Sequence, residues 1–338
     1  MTKWTTDSLY NILKDVTLGG GLCVYTPEIC EMMLPKINRI VELKEEKNAI
    51  ILAHSYVVPE IIRTVADEVG DSYYLSKKAK EATADTIVFS AVKFMAETAK
   101  LLNPSKQVLI PSRFNGCSLA DSITGADVRA LREQYPDYTF VCYINTTVDV
   151  KAECDVSVTS SNVYDICERL DNDKIYFLPD KLMGQNVINE LERRGVKKTI
   201  KYTDGTCYVH EEYTPAMIHH IKRKYPGVAV LAHPECGPDV VNEADYIGST
   251  SQLINYVKDY DAPYYFLLTE CGLTGRLQTE VPGKRFVGTC TMCKYMKSNT
   301  MDDIIRVLTN PEPNDIITLP EELYDKAQRC IDKMFELA

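Results

Sequence analysis

The stretch Ile51-Leu52-Ala53-His54 occurs again, nearly unchanged, as Val230-Leu231-Ala232-His233. In both copies a proline follows five residues after the histidine, at Pro59 and at Pro238. Each copy is a short apolar run that ends on a polar side chain, which is typical of a buried strand in a parallel sheet. A repeated strand with its following turn indicates that a whole structural unit recurs along the chain.

A third copy of the unit lies between these two. Phe140–Asn145 takes the place of the histidine strand there, and Glu153-Cys154-Asp155 parallels Glu243-Ala244-Asp245. Each unit ends in a loop with a cysteine, and these cysteines stand 90 and 86 residues apart (207 − 117 and 293 − 207). They are Cys117, Cys207 and Cys293. The even spacing predicts three copies of one unit.

Apolar runs and amphipathic stretches alternate within each unit. The alternation predicts parallel strands joined by helical crossovers. We therefore expect an α/β protein with three similar three-layer αβα domains whose parallel sheets have a pseudo-threefold arrangement. The predicted strands are Ala49–His54, Thr86–Ser90 and Gln107–Pro111, then Phe140–Asn145, Val156–Ser160, Ile175–Leu178 and Thr199–Thr203, then Val228–His233, Tyr246–Ile247, Tyr264–Thr269 and Arg285–Gly288.

Five parts of the chain follow from this interpretation. They are an N-terminal segment (1–36), repeat 1 (37–125), repeat 2 (126–215), repeat 3 (216–300) and a C-terminal helical segment (301–338). Tyr25–Asn48 and Glu321–Leu337 have the apolar spacing of amphipathic helices. We expect the N-terminal and C-terminal helices to pack on repeat 1.

Composition and charge narrow the class of protein. The net charge of −10 disfavours nucleic acid or an anionic membrane as the main partner. The N-terminus, from Met1 to Tyr10, lacks the apolar core of a signal peptide, and no apolar run reaches the roughly 18 residues of a membrane span. We therefore expect a cytoplasmic protein. Twelve cysteines in that compartment indicate metal binding, catalysis or burial rather than a disulfide scaffold.

Polar residues stand at the predicted carboxyl ends of the strands, where parallel α/β sheets bind their ligands. The strand-end residues are His54, Asn145 and His233, and the nearby hydroxyls are Ser72, Ser160-Ser161 and Ser249-Thr250. Hydroxyls at these positions either bind anions or cap helices, and the sequence leaves both roles open. If the three units point their strand ends at one axis, the three cysteines meet there.

Three converging cysteines have three possible roles. They bind zinc, they hold a cubane iron–sulfur cluster with one iron lacking a protein ligand, or they are buried apolar residues. Structural zinc usually takes four N or S ligands in close pairs, and only Cys290 and Cys293 form such a pair. For Cys290 two interpretations stay open, a disulfide with Cys293 when a cluster is lost, or no role. An open iron would act as a Lewis acid in a dehydration.

A set of polar motifs runs through all three units. In order they are His54-Ser55-Tyr56, Gly70-Asp71-Ser72, Gly116–Asp121, Tyr143-Ile144-Asn145, Thr159–Asn162, Cys207–His210, His233–Cys236, Gly248–Thr250 and Cys293–Met296. From about Ile37 to the C-terminus this set resembles the quinolinate synthase family of the [4Fe–4S] type. The resemblance implies three α/β domains around one [4Fe–4S] cluster per chain.

The same resemblance implies an activity. Quinolinate synthases condense iminoaspartate with dihydroxyacetone phosphate to quinolinate, phosphate and water, with the open iron as Lewis acid, in de novo NAD biosynthesis. An L-aspartate oxidase or dehydrogenase is the implied pathway partner.

The resemblance also assigns roles to single residues. Cys117, Cys207 and Cys293 match the cluster ligands. The residues that match the catalytic pocket are Tyr56, Tyr143, Asn145, His210, His233 and Glu235. The residues that match the sites for carboxylates and phosphate are His54, Ser72, Ser160 and Thr250. Four of the catalytic residues also match substrate contacts: Tyr143, Asn145, His233 and Glu235. By residue type, Glu235 suits proton transfer in enolisation and tautomerisation, and the histidines and Tyr56 suit charged oxygens and departing groups. His219 and His220, on a predicted helix that begins near Pro215, read as surface or packing residues.

Two other classes of protein share parts of this pattern. A diphthamide-type radical S-adenosylmethionine enzyme also has three α/β domains that each give one cysteine to a cluster. A non-catalytic iron–sulfur or zinc sensor would need the cysteines but not the polar strand ends. Binding of quinolinate to the metal-loaded protein separates these alternatives from a quinolinate synthase.

Overall fold

The computed structural model of the chain describes residues 3–18 and 23–338, so parts of the predicted N-terminal segment (1–36) lie outside the described residues. Within the described part are three parallel sheets of four, four and three strands and one two-stranded antiparallel ribbon. Helices connect and flank the strands, which confirms the predicted α/β class with three parallel sheets. Among the described helices, none combines the length and the apolar character that crossing a bilayer requires.

Two helices and the ribbon precede the first parallel sheet. They are α1 (Thr6–Leu13), β1 (Thr17–Leu18), β2 (Cys23–Val24) and α2 (Pro27–Glu46). Helix α2 begins at a proline, whose missing N–H costs nothing in a first turn, and the side chain of Thr26 caps it by accepting from the N–H of Ile29. The helix predicted between Tyr25 and Asn48 is therefore confirmed.

The first parallel sheet has the strand order β4-β3-β5-β6. Its elements are β3 (Ala49–His54), α3 (Pro59–Ile62), β4 (Glu68–Gly70), α4 (Ser72–Glu81), β5 (Thr86–Ser90), α5 (Lys93–Leu102) and β6 (Gln107–Leu109), followed by a 3₁₀ turn at Ala120–Ser122. Strand β4 was not predicted, because three residues that include a charge and a glycine carry no strand pattern.

The second sheet has the order β10-β9-β7-β8. Its elements are α6 (Gly125–Gln134), β7 (Thr139–Tyr143), α7 (Val148–Ala152), β8 (Val156–Val158), α8 (Val163–Arg169), β9 (Lys174–Leu178), α9 (Lys181–Arg193), β10 (Thr199–Tyr202) and α10 (Tyr208–Glu211). All four predicted strands of this unit are present, with ends that differ by one or two residues.

The third sheet has three strands in the order β12-β11-β13. The elements are α11 (Pro215–Lys224), β11 (Val228–Ala232), α12 (Pro238–Val241), β12 (Tyr246–Ile247), α13 (Thr250–Asp259), β13 (Tyr264–Leu268), α14 (Gly272–Glu280) and α15 (Lys294–Lys297). The predicted strand Arg285–Gly288 is wrong, since this segment makes only an isolated bridge at Phe286 with Tyr265. Gly283 and Gly288, with φ of 95° and 111°, bend the chain out of the sheet on either side.

Two helices close the chain and pack on different units. Helix α16 (Met301–Thr309) lies on α2, as expected, and α17 (Tyr324–Leu337) lies mainly against α7 and β8. Helix α17 thus packs mainly on the second unit and also contacts α5 of the first. The cause is its apolar side, where Cys330 is fully buried with its Sγ 3.6 Å from the Sγ of Cys142 on β7.

A polar clamp recurs in all three units and joins their first two strands. In each unit, the aspartate just before the second strand accepts a hydrogen bond from a backbone N–H of the first. The pairs are Ile51 with Asp67 (2.8 Å), Phe140 with Asp155 (2.7 Å) and Val230 with Asp245 (2.8 Å). A cation from the preceding helix binds each aspartate: Lys44, Arg132 and Lys222, at 2.7, 3.0 and 3.5 Å. Equivalent contacts at equivalent positions support the repetition independently of sequence identity.

The clamp sets the alignment of the three units. Three residues after the clamped N–H stand His54, Tyr143 and His233, so the structural counterpart of the two histidines is Tyr143 rather than Asn145. Five residues after the aspartate stand Ser72, Ser160 and Thr250.

One backbone hydrogen bond positions each cysteine loop. In each unit, the third residue after the end of the third strand donates its N–H to a carbonyl two residues before the cysteine. The pairs are Lys93 to Asn115 (2.8 Å), Lys181 to Gly205 (2.8 Å) and Cys271 to Thr291 (3.0 Å). The even spacing of the cysteines in sequence follows from this shared attachment to the sheets.

Candidate active site

A cavity lies at the carboxyl ends of the three sheets. Cys117, Cys207 and Cys293 line it. The other ten residues that the sequence singled out line it as well: His54, Tyr56, Ser72, Tyr143, Asn145, Ser160, His210, His233, Glu235 and Thr250. The structure thus brings every predicted site residue to one place, at the junction of the three units.

The three cysteines share one local geometry. Cys207 and Cys293 immediately precede the one-turn helices α10 and α15, and Cys117 precedes the 3₁₀ turn. Each sulfur receives backbone N–H groups from the residues two and three positions later: Leu119 and Ala120, Val209 and His210, Tyr295 and Met296. Such N–H groups stabilise thiolates and are a main influence on iron–sulfur clusters.

The chemistry of this donor set fits a cluster held at three irons. Burial raises the pKa of the Cys117 thiol to about 12 and raises the pKa values of Cys207 and Cys293 above their usual range. Without a cation these thiols stay protonated, and metal binding displaces the protons.

His210 connects the cysteines to the polar end of the cavity. Its Nδ1 lies 3.3 Å from Sγ of Cys207 and 3.0 Å from Oε2 of Glu235, and its Nε2 lies 2.9 Å from the hydroxyl of Thr269. The ligand atoms of Cys207, His210 and Glu235 lie within 4.8 Å of one another. A single metal ion is therefore a second possibility at this end of the cavity.

Glu235 is a buried carboxylate in contact with one tyrosine and two histidines. It accepts from the hydroxyl of Tyr143 at 2.5 Å and faces His210 at 3.0 Å, with Nδ1 of His233 3.8 Å away. Burial alone would raise its pKa, but His210, then His233 and Tyr143, lower the pKa below its usual range. Glu235 is consequently ionised and available as a proton acceptor.

His54 and His233 are held alike, two residues before Tyr56 and Glu235. In each, Nδ1 accepts the backbone N–H of the residue two positions later, at 3.2 Å from Tyr56 and 3.3 Å from Glu235. This bond assigns the ring proton to Nε2. Burial lowers the pKa of His54 to about 4 and that of His233 to about 3. Both rings are therefore neutral N–H donors at neutral pH.

Tyr56, from the first unit, inserts into the third. Its hydroxyl lies 3.0 Å from Oγ1 of Thr250 and 2.7 Å from Oγ1 of Thr269. Burial raises the pKa values of Tyr56 and Tyr143, so both phenols keep their protons. The cavity therefore combines the carboxylates of Asp71, Glu235 and Glu270 with several neutral donors.

The hydroxyls of Ser72 and Thr250 do not cap helices. Asp71 caps α4, accepting from the N–H of Tyr74 at 3.0 Å, and Ser249 caps α13, accepting from the N–H of Gln252 at 3.3 Å. In the second unit, Asn162 occupies the capping position of α8, and Ser160 precedes it. The capping alternative is therefore wrong for all three hydroxyls, which are left available to a ligand.

Cys290 forms a disulfide with Cys271, with their Cα atoms 5.1 Å apart. Cys293, the other member of the CxxC pair, is a free thiol. The disulfide partner of Cys290 is therefore Cys271 rather than Cys293. His219 and His220 lie exposed on α11, as predicted, and His219 pairs with Glu243 at 3.0 Å.

Sequence reasoning missed several residues at this site. Thr269 and Glu270 directly follow β13, and Asp180 follows β9 at the equivalent position. Glu270 lines the cavity, and Asp180 is fully buried with its Oδ2 unpaired among the described residues. The sequence signal for Glu270 and Asp180 is an acid one or two residues after a predicted strand.

Comparisons with known proteins agree on one family. A family model described as quinolinate synthetase A protein matches residues 38–336. A quinolinate synthase of Sinorhizobium fredii is 44% identical over 98% of this chain and 88% of its own length. Quinolinate synthases of Xylella fastidiosa and Caulobacter vibrioides are 42% and 40% identical over 89% and 92% of this chain, and over 87% and 84% of their own.

Proposed function

The chain belongs to the quinolinate synthetase A family and is an enzyme of the quinolinate synthase type in NAD biosynthesis, and we propose that it condenses iminoaspartate with dihydroxyacetone phosphate on a [4Fe–4S] cluster. The products are quinolinate, phosphate and water. The observation that carries the proposal is the contact sequence Cys207, His210, Glu235 and Tyr143, which links a thiol to a buried base within one cavity.

Cys117, Cys207 and Cys293 are the proposed cluster ligands. Each already directs its sulfur at two backbone N–H groups, so the loops need no rearrangement to present thiolates. When bound, the cluster would supply one iron without a protein ligand, a Lewis acid that helps a substrate lose hydroxide. His210 and Glu235 lie next to Cys207, with the ligand atoms of the three residues within 4.8 Å of one another.

Glu235 is the proposed general base. Condensation and ring closure require protons to leave carbon and return to oxygen, and an ionised buried carboxylate accepts such a proton at either oxygen. The hydroxyl of Tyr143 already holds Oε1, and His210 faces Oε2. Both contacts fix the carboxylate in one orientation, which confines proton transfer to one region of the bound substrates.

The proposed substrates are polyanions, with two carboxylates on one and a phosphate on the other. His54 and His233 offer neutral N–H groups, and Ser72, Ser160 and Thr250 offer hydroxyls not used as helix caps. Neutral donors bind anions without the burial cost of lysine or arginine. We propose that these five residues hold the carboxylates and the phosphate, with Asn145 and Tyr56 contacting the reacting atoms.

The setting of the reaction completes the proposal. We propose three domains with boundaries at 37–125, 126–215 and 216–300, since each range encloses one parallel sheet. We propose the cytoplasm as the compartment, because nine of the described cysteines are free thiols. An L-aspartate oxidase or dehydrogenase would supply iminoaspartate.

Anaerobic purification with iron, sulfide and zinc quantified, followed by a quinolinate assay, tests the proposal. Wild type should hold four irons and four sulfides, as the proposed cluster requires, and Cys117→Ala should lose both cluster and turnover. Cys167→Ala is the matched control, because Cys167 is a free, buried cysteine outside the cavity. Zinc without sulfide would favour the single ion at Cys207, His210 and Glu235. A cluster without quinolinate formation would favour the radical-enzyme alternative.

A further inference from the structure

Glu270 is a buried carboxylate whose two oxygens are both used. It stands just after β13, is 1% exposed, and lines the cavity near Cys293. Its Oε1 accepts the backbone N–H of Cys293 at 3.1 Å, and its Oε2 accepts the backbone N–H of Gly272 at 2.6 Å. A side chain at the end of the third sheet therefore binds the backbone of one proposed cluster ligand.

Lys297 completes this arrangement from the other side. It stands one helical turn after Cys293, and its Nζ lies 3.0 and 3.1 Å from the two oxygens of Glu270. The same Nζ donates to the backbone carbonyl of Tyr56 at 2.5 Å. Because Tyr56 belongs to the first unit, the ion pair ties the Cys293 loop to the wall of the cavity that faces substrate.

The first unit binds the backbone N–H of its cysteine differently. Glu270 aligns with Asp180 and Val92, since the following residue in each unit donates to the carbonyl two positions before the cysteine. Val92 has no polar group, and in that unit the N–H of Cys117 is bound by Asp121 of its own loop, at 3.2 Å. The Cys293 loop is thus fixed by a charged pair of the third unit.

We propose that Glu270 is a positioning residue for Cys293, braced by Lys297 against the carbonyl of Tyr56. The inference rests on the proposed function, because it takes Cys293 to be a cluster ligand. Groups that orient metal ligands without touching the metal commonly change affinity by about 10–100-fold when removed. Glu270→Gln turns one accepting oxygen into a donating amide, so the backbone N–H of Cys293 or of Gly272 loses its acceptor, and Lys297 loses its counter-charge.

Two consequences separate positioning from a general packing role. Without Glu270, the Cys293 loop loosens and iron leaves faster. The charge changes also have opposite signs, since Glu270→Gln removes a negative charge beside the cluster and Lys297→Met removes a positive one. Charge near a cluster shifts its reduction potential, so the first variant should raise the potential and the second should lower it.

The experiment measures iron release to a chelator and the reduction potential of the loaded protein. Glu270→Gln should release iron about 10–100-fold faster than wild type. Glu270→Gln/Lys297→Met, which removes both charges, should return the potential toward wild type while iron release stays fast. Glu97→Gln is the matched control, because Glu97 is also buried and accepts one backbone N–H, from Val148 at 3.1 Å, outside the cavity.

The outcomes distinguish this inference from the proposed function. A wild type that binds no cluster overturns the proposed function itself. A loaded wild type with Glu270→Gln indistinguishable from it in iron release overturns only the positioning role, and so does a shifted potential without faster release. If Glu270→Gln fails to fold because Lys297 is left buried and unpaired, the double variant decides by its iron release alone.

Discussion

The hydroxyl of Tyr143 donates a 2.5 Å hydrogen bond to Oε1 of Glu235, and this contact joins the second unit to the third. Tyr56 of the first unit makes the corresponding contact with the third through Thr250 and Thr269. No single unit contains the whole site, so the polar residues of one unit form the cavity only together with those of the other two. Repetition of the unit therefore matters to function because it brings three sets of strand ends to one cavity.

Replacing the proposed base should stop turnover without loss of the cluster. Glu235→Gln keeps the size of the side chain and removes its ability to accept a proton, so we expect quinolinate formation to fall by about 10²–10⁴-fold. Iron and sulfide content, measured on the same preparation, should match wild type. Glu243→Gln is the control, since Glu243 is a half-buried glutamate outside the cavity that pairs with His219. Turnover near the wild-type rate would exclude Glu235 as the base.

Removing the partner of that base should change the pH dependence. The Tyr143 hydroxyl donates to the ionised carboxylate and so lowers the pKa of Glu235. Tyr143→Phe should raise that pKa, and because a base works only when ionised, the acid limb of kcat/KM should move to higher pH. Tyr176→Phe, a buried tyrosine of the same unit outside the cavity, is the control. An unshifted acid limb would mean that Tyr143 does not tune Glu235.

Local sequence signals accounted for much of the fold. Strands such as Ala49–His54 and Thr86–Ser90 are continuous apolar runs, and their bounds agree with the prediction residue for residue. The short strand β4 and the docking of α17 were not foreseen. Both depend on tertiary contacts, since β4 exists only by pairing with β3, and the side of α17 that bears Cys330 fits the second sheet.

The candidate site also contains both residues that the sequence predicted and contacts that it did not. Repeated motifs pointed to the cysteines and strand-end histidines, because each pattern occurs more than once in the chain. Two other contacts join residues that do not recur in the three units. Cys290 pairs with Cys271, 19 positions away, and Glu270 accepts a hydrogen bond from Cys293, 23 positions away. Neither contact produces a repeated spacing of residues, so the sequence alone does not predict it.

The repeated aspartate clamp yields a prediction about stability. Asp245 accepts the N–H of Val230 at 2.8 Å and pairs with Lys222 at 3.5 Å, with 43% and 39% of the two charged side chains exposed. An exposed pair of this kind is worth about 0–1 kcal/mol, whereas a strand N–H left without an acceptor costs about 1–3 kcal/mol.

Asp245→Ala should therefore destabilise the protein more than Lys222→Met does. Urea unfolding of both variants and wild type, followed at equal iron content, measures the difference. Equal losses in the two variants would show that the ion pair, and not the strand hydrogen bond, is the stabilising contact.

Removing the hydroxyl of Ser249 or of its neighbour Thr250 should affect different properties, stability in the first case and substrate binding in the second. Ser249 caps α13, and its loss in Ser249→Ala should cost about 0.5–2 kcal/mol of stability with little effect on substrate binding. Thr250 lines the cavity and bonds Tyr56 at 3.0 Å, so Thr250→Val, which keeps the shape and removes the hydroxyl, should raise KM. One hydrogen bond is worth about 0.5–1.5 kcal/mol, which corresponds to a rise in KM of up to about tenfold. Thermal unfolding and steady-state kinetics on both variants make the comparison. If Thr250→Val lost stability and kept its KM, Thr250 would belong to the helix rather than to the substrate site.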